Sequence, residues 1–443
     1  MTVFSLFSAP HFPDMKNFRL YAITILCFLS ARMQAQTLAW EITLPDDKQQ
    51  RGPVYADLND PDAIYAVGDY TALRISLQDQ RTELLEIGVN RCDRYFISDD
   101  EHAYTFLHAK NYYYNNFWTS SLLYSSARGQ SKGLRKSIFK KERYMDMAGL
   151  RLINGDLYFI MGGGDPFNKR PLKSAIIRMN KNAKILSVTK VAFPMTPADD
   201  VIAKRQDKGY CLFPGAWREL DFNPRTSEST IFRFSAFKEE GFASIFKVNL
   251  LNPVPTEQLV CELPEMQPNR YVYDARVIPY YKGDEKEFIL QLVVNKGCGK
   301  GVASNQILND PQYIFIRYSM DGKIIAQSEE FPVKNVISNI NETVAILPLT
   351  FDFITLAFDP LDNNFVLIQP NDVIHIFDEN LVYKSSAGRP YPIDDKTLPQ
   401  HLRYFLKIPE NTAYRYIFFG KDYVITKYYR EDDKQVVVTC FHP

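Results

Sequence analysis

The sequence predicts an all-β fold assembled from one four-stranded unit repeated along the chain. Three observations predict it. Short aromatic strands recur, each just after a turn rich in Asp, Asn, Gly or Pro; alternating β-branched and aromatic strand pairs follow them; and helical patterning is confined to one N-terminal apolar segment. The residue supply agrees. The 27 Tyr, 31 Phe and 3 Trp favour pleated, half-buried surfaces, and 26 Pro with 20 Gly supply strand ends and turns.

The chain has 443 residues and begins, in functional terms, with the basic stretch Met15–Arg19 and the apolar run Leu20–Leu29. That run has the length of a secretory h-region and is too short to span a bilayer. A polar stretch, Ser30–Ala35, follows, and cleavage after Ala35 would leave Gln36 as the mature start. Residues 1–35 are therefore read as a signal peptide, with 1–14 upstream of its true start, and residues 36–443 as a single domain. Cys27 stands behind Leu26, where a lipoprotein signal carries a small residue, so a soluble exported protein, periplasmic or extracellular, is expected. No later segment reaches the roughly 18 uninterrupted apolar residues of a membrane helix.

The repeat is carried by seven aromatic strands: Asp62–Val67, His102–Leu107, Asp156–Met161, Ser229–Phe234, Lys286–Leu292, Asn364–Gln369 and Ala413–Phe419. Turn chemistry precedes each, for example Asn59-Asp-Pro-Asp62, Asn154-Gly155 and Asp359-Pro-Leu-Asp-Asn363. Further strand pairs follow, clearest at Ser174–Asn180 with Lys184–Val188 and at Gln312–Tyr318 turning at Asp321-Gly322 into Lys323–Ala326. An apolar residue before Pro ends a fourth strand at Phe193-Pro194, Leu263-Pro264 and Phe331-Pro332, where a missing N–H suits an exposed edge. The first mature strand, Leu38–Leu44 before Pro45, has the same ending and no strands of its own before it. It reads as a displaced fourth strand that would pair with the last unit and hide a sheet edge.

Four strands repeated seven times resemble a secreted bacterial β-propeller, closed by the N-terminal strand pairing with the last blade. The resemblance rests on architecture and covers nearly all of residues 36–443. There is no WD dipeptide series, no double-glycine pattern in each repeat and no Asp-box series, so no named propeller family is assigned. Unit lengths of about 40 to 75 residues leave six or eight blades open, and a parallel β-helix is the main alternative fold.

Lys+Arg and Asp+Glu both number 52, so the formal net charge is zero, which argues against a nucleic-acid partner. Cys92, Cys211, Cys261, Cys298 and Cys440 are widely and irregularly spaced, without a CxxC, so neither a disulfide framework nor thiol-redox chemistry is expected. Cys261 and Cys440, flanked by strand residues, read as small buried hydrophobes.

Few motifs carry chemistry. His102 and His108 stand six apart, near Asp99, Asp100 and Glu101, in no zinc-ligand spacing. The stretch Asp57–Asp62 lacks the central Gly and terminal Glu of a calcium loop and reads as a turn. Gly162–Gly164 and Asn295–Gly301 are not phosphate-binding loops, so no metal and no cofactor is called for. Catalytic residues stay unknown; Asp146, Glu219 and Asp274 are the carboxylates in or near inner strands that a polysaccharide hydrolase or lyase could use.

The most informative cluster is Asn111-Tyr-Tyr-Tyr-Asn-Asn-Phe-Trp118, in the connector between the second and third strands of the second unit. On a propeller those connectors share a face with the segments that link successive blades. The predicted ligand-binding face comprises Tyr112, Tyr113, Tyr114, Trp118 and Arg170, with Trp217, Arg218, Asp274 and Arg276 from inter-blade segments. Flat rings beside amides and guanidinium groups suit sugar rings or peptide segments. The expectation is an exported, non-enzymatic module that binds a carbohydrate or an envelope protein, with the channel carboxylates as the enzymatic alternative.

Overall fold

A computed structural model describes residues 37–45, 52–68, 71–86, 95–99, 102–109, 120–127, 130–133, 144–164, 173–182, 184–191, 216–219, 226–235, 242–252, 255–262, 264, 270–282, 285–296, 312–332, 356–368, 373–388, 391, 398–409 and 412–443. The chain starts with β1 (Thr37–Pro45), then β2 (Val54–Asp57), β3 (Ala63–Val67), β4 (Thr71–Ser76) and β5 (Thr82–Glu86). Next come β6 (Tyr95–Ser98), β7 (His102–Ala109), β8 (Ser120–Ala127) and β9 (Gln130–Gly133), followed by β10 (Tyr144–Ile153), β11 (Asp156–Gly164), β12 (Lys173–Asn180) and β13 (Ile185–Val191). The middle of the chain forms β14 (Ala216–Glu219), β15 (Glu228–Ser235), β16 (Phe242–Asn249) and β17 (Pro255–Val260). Then follow β18 (Arg270–Lys282), β19 (Glu285–Lys296), β20 (Gln312–Ser319), β21 (Ile324–Gln327) and the two-residue β22 (Phe331–Pro332). The last elements are β23 (Leu356–Asp359), β24 (Asn364–Ile368), β25 (Ile374–Phe377), β26 (Tyr383–Ala387), helix α1 (Gln400–Lys407), β27 (Ala413–Phe419), β28 (Val424–Arg430) and β29 (Gln435–His442).

Strands consecutive in the chain pair antiparallel. They give the sheets β10–β13, β14–β17 and β23–β26, and β18–β21 with β22 added beside β20. β2–β9 form one eight-stranded sheet, inside which β2 and β6 run parallel through Ala56 opposite Tyr95 and Asp57 opposite Phe96. The remaining sheet has the order β27-β28-β29-β1. From sheet to sheet the first strands are neighbours: β6 with β10, β10 with β14, β14 with β18, β18 with β23, β23 with β27, and β27 with β2. Meandering antiparallel sheets packed face to face, with their first strands adjacent, make this an all-β β-propeller.

β1 pairs antiparallel with β29 over its whole length, from Thr37 opposite His442 to Pro45 opposite Gln435. This corrects one element of the sequence reading. Ala413–Phe419 is the first strand of its sheet, not the aromatic second, because only two strands remain after it and β1 supplies the fourth place.

The aromatic second strands fill the space between sheets. Tyr65, Tyr104, Phe232, Phe288 and Phe365 are almost wholly buried, each contributing about 1.5–3 kcal/mol of burial. Phe232 meets Phe288 across a sheet boundary at 5.3 Å, and Phe288 stacks on Tyr318 at 5.0 Å. Cys261 and Cys440 are buried among these apolar side chains, and burial pushes both thiols up to about 12. Between β10 and β11, Asn154 (φ 52°) and Gly155 (φ 79°) both take the left-handed conformation that a two-residue hairpin of opposite hand requires.

Helix α1 was not expected. Leu402, Phe405 and Leu406 recur at helical spacing and bury against Ile374, Ile376 and Ala387, while Lys407 in the last turn complements the helix dipole. Eight residues are too few for the pattern to stand out against the strand background.

Candidate functional site

Three consecutive first strands carry most of the chemistry-bearing residues within the described region. β10 holds Asp146, β14 holds Trp217, Arg218 and Glu219, and β18 holds Asp274 and Arg276. Trp217 and Arg218 thus lie within a strand, opposite Arg233 and Phe232, and not in a segment between blades as the sequence suggested. The same correction applies to Asp274 and Arg276, which stand opposite Val293 and Gln291. The short β14 ends an uneven alternation in its segment, which is why its residues read as linker.

Register gives relative heights along the ring. Phe159, Ile231 and Phe288 each sit three residues into a second strand and each packs on the sheet before it, so they mark one level. Asp146 lies opposite Gly162, Trp217 opposite Arg233 and Arg276 opposite Gln291, which are three, two and three residues beyond that level. An acidic, an aromatic and a basic position therefore stand at nearly one height on neighbouring strands. Glu219, opposite Ile231, and Asp274, opposite Val293, differ by five residues, an axial offset of about 16 Å. That backbone offset exceeds the separation a glycosidase carboxylate pair uses, about 5–9.5 Å. Asp146 and Asp274 differ by two residues only. Asp274 directly follows a register shift between Val272 and Asp274, and β10 has another between Ala148 and Arg151, where Gly149 adopts φ +68°. Such bulges re-aim a strand locally.

Tyr112, Tyr113, Tyr114, Trp118 and Arg170 fall outside the described residues. The tyrosine run lies in the chain between β7 and β8, the second and third strands after β6.

Among the described side chains, the polar groups that reach furthest join one sheet to the next. Asp57 closes the turn after β2 by accepting the Asn59 amide at 2.9 Å through Oδ1, while its Oδ2 accepts the Tyr65 hydroxyl at 3.0 Å and the Ser98 hydroxyl of β6. Burial raises its carboxyl above the usual range against these hydrogen bonds. Asp57–Asp62 is accordingly an Asx turn. Asp359 repeats the device after β23: Oδ1 accepts the Leu361 amide at 3.0 Å and Oδ2 lies 2.7 Å from His401 Nε2 of α1. Lys427 on β28 donates to the carbonyls of Gly52 and, at 3.3 Å, Val67, and burial lowers its ammonium to about 7. His102 is buried with Nδ1 3.4 Å from Asp99 Oδ1, and its ring stacks on Tyr104 at 5.8 Å. Among the described residues no three His, Cys, Asp or Glu groups come together as a metal cage. Sequence reasoning missed His401 and Lys427, whose partners lie 42 and about 360–375 residues away.

No protein-family profile and no curated protein matches the sequence. Solved structures do match along most of the chain. BamB from Moraxella catarrhalis is similar over 92% of this chain and 100% of its own, with 7% identity and a TM-score of 0.33. The Dos1 propeller covers 93% and 97%, with 8% identity and a TM-score of 0.42. A polysaccharide lyase, the PL25 ulvan lyase bound to -[GlcA(1-4)Rha3S]-, covers 90% and 95%, with 12% identity and a TM-score of 0.44. Likeness at these values says nothing of substrate or partner.

Proposed function

We propose that the chain is an exported, seven-bladed propeller that binds a carbohydrate or an envelope-protein partner without acting on it. Seven blades follow if the eight-stranded sheet is divided at the parallel β2–β6 contact, since inner strands of successive blades run parallel. Support for closure comes from β1 filling the fourth place beside β29 and from the neighbourhood of β27 with β2. Export rests on the basic start and apolar run at Met15–Leu29.

The binding reading is carried by one observation: Trp217 and Arg276 occupy adjacent first strands at nearly the same height. An aromatic and a guanidinium position side by side can offer a stacking surface and a fork of donors to one ligand. Arg218 and Asp274 flank them, and Tyr112, Tyr113, Tyr114, Trp118 and Arg170 extend the face through loops. Retention of the full chain on a panel of glycans and envelope proteins tests this. Tyr113→Ala with Trp118→Ala, and separately Trp217→Ala, should abolish retention of whatever the parent holds; unchanged retention in both variants overturns the reading.

The second reading, a polysaccharide hydrolase or lyase, is favoured by Asp146 and Asp274, which differ by only two residues in height on β10 and β18. It predicts chain cleavage that Asp146→Asn and Asp274→Asn each reduce by at least about 100-fold. Glycan binding without release of shorter products counts against it.

A further inference from the structure

A second cluster lies on the outer edge of the β23–β26 sheet, away from the first strands. In β25 all four residues are buried, whereas β26 is the exposed outermost strand, and the pair is in register with His375 opposite Ser386 and Phe377 opposite Tyr383. His375 Nδ1 is 2.6 Å from Ser386 Oγ, which is in turn 2.6 Å from the Tyr383 hydroxyl. A hydrogen-bond chain therefore runs from a buried imidazole, through a half-buried serine, to a tyrosine that is 47% exposed.

Rings surround this chain. Phe331, from β22 of the preceding sheet, meets His375 edge-on at 4.7 Å and Tyr383 at 5.8 Å. Tyr391, itself 41% exposed, stands 6.5 Å from the imidazole, and Phe377 supports Tyr383 from beneath at 5.7 Å. Two tyrosines thus keep large exposed areas beside a polar line that ends at the surface.

We propose that this edge, centred on Tyr383 and Tyr391, binds the ring of a neutral sugar. The first argument is charge. Imidazole, serine and tyrosine form a line with no formal charge, and burial, which pushes His375 down to about 4, keeps it so. An anionic or cationic ligand would find no counter-charge within the line. The second argument is the freedom of a neutral imidazole, which has one donor and one acceptor nitrogen. With the proton on Nδ1, the chain runs His375 to Ser386 to Tyr383, and the tyrosine O–H points outward as a donor. With the proton on Nε2, the order reverses and the tyrosine oxygen accepts from outside. A sugar hydroxyl is itself both donor and acceptor, so either state meets it. The third argument is shape: the C–H face of a pyranose stacks on tyrosine rings, which contribute area with little conformational entropy to lose.

The site is separate from the channel and loop face proposed above, and its test separates the two. Titration of the full chain with cellohexaose, mannohexaose, xylohexaose and, as an acidic control, hexagalacturonate should give saturable binding of at least one neutral oligosaccharide. Tyr383→Phe, which keeps the ring and removes the outer hydroxyl, should weaken that binding about 2- to 12-fold. Tyr383→Ala with Tyr391→Ala should remove it, while Tyr113→Ala with Trp118→Ala should leave it unchanged. Both tyrosines are solvent-exposed, so circular dichroism should be unaltered. Binding of the acidic oligosaccharide alone, no binding of any neutral one, or neutral binding insensitive to both alanines overturns the proposal.

Discussion

His401 Nε2 and Asp359 Oδ2 lie 2.7 Å apart with both side chains fully buried, tying helix α1 to the turn that leaves β23. The helix bridges the sheet that ends in β26 and the sheet that begins with β27. Removing either partner leaves the other buried without its mate. His401→Ala and Asp359→Ala should each cost about 3–5 kcal/mol in denaturant unfolding, with the double variant costing clearly less than the sum. Additive losses would mean the contact contributes nothing by itself.

Lys427 makes a signed prediction about pH. Its folded value, about 7, lies below its ordinary 10.5, so the unfolded chain holds the proton more tightly. Below pH 7 both states are charged and the penalty of burial is constant. Between 7 and 10.5 the folded state has shed its proton and the penalty fades. The stability of the parent relative to Lys427→Met should therefore rise by about 1.4 kcal/mol per pH unit across that window. Unfolding curves at pH 6, 8 and 9 check it, and a flat difference refutes it.

His375 gives the opposite end of the scale. Held at about 4 by burial, it should remain neutral at pH 5, where an exposed histidine is charged. As the unfolded chain takes up a proton near 6.5 and the folded chain does not, stability falls as pH drops from 6.5 to 4. Nitrogen-15 spectra of labelled histidine should show a neutral imidazole at pH 5, and His375→Gln should remove this part of the acid sensitivity.

Gly149 and Gly155 separate conformation from space. Both have positive φ, but a Cβ on Gly149 would stand 2.8 Å from Ser229 Oγ, whereas nothing lies within 4 Å of one on Gly155. Gly155→Ala should cost about 1–2 kcal/mol for the left-handed backbone alone. Gly149→Ala should cost more, measured by thermal unfolding, because it also presses β10 against the neighbouring sheet.

The strand plan was legible because it is local. Tyr65, Tyr104, Phe232 and Phe288 follow their own turns at short range, and the pleat then decides which face they fill. The lone strand Leu38–Leu44 was legible for a different reason: it has a fourth-strand ending and no predecessors. Contacts between sheets were not. Nothing near Asp359 in the sequence indicates His401, and nothing near Lys427 indicates Gly52, because the repeat fixes only that sheets are neighbours, not which side chains meet. Trp217 was misplaced since β14 is four residues long, too short to establish alternation. The tyrosine at the end of the His375–Ser386 line was unmarked too; in sequence it is one more aromatic in a strand.

The pairing of β1 with β29 sets a waiting time. A ribosome adds roughly 5–20 residues each second, so tens of seconds separate the emergence of Leu38 from that of its partner Phe441. For that interval β1 is a strand without a ladder and the last sheet does not exist. The start of this chain must stay clear of foreign strand edges until its own end has been made, which assigns a holding chaperone a task at the first mature residues.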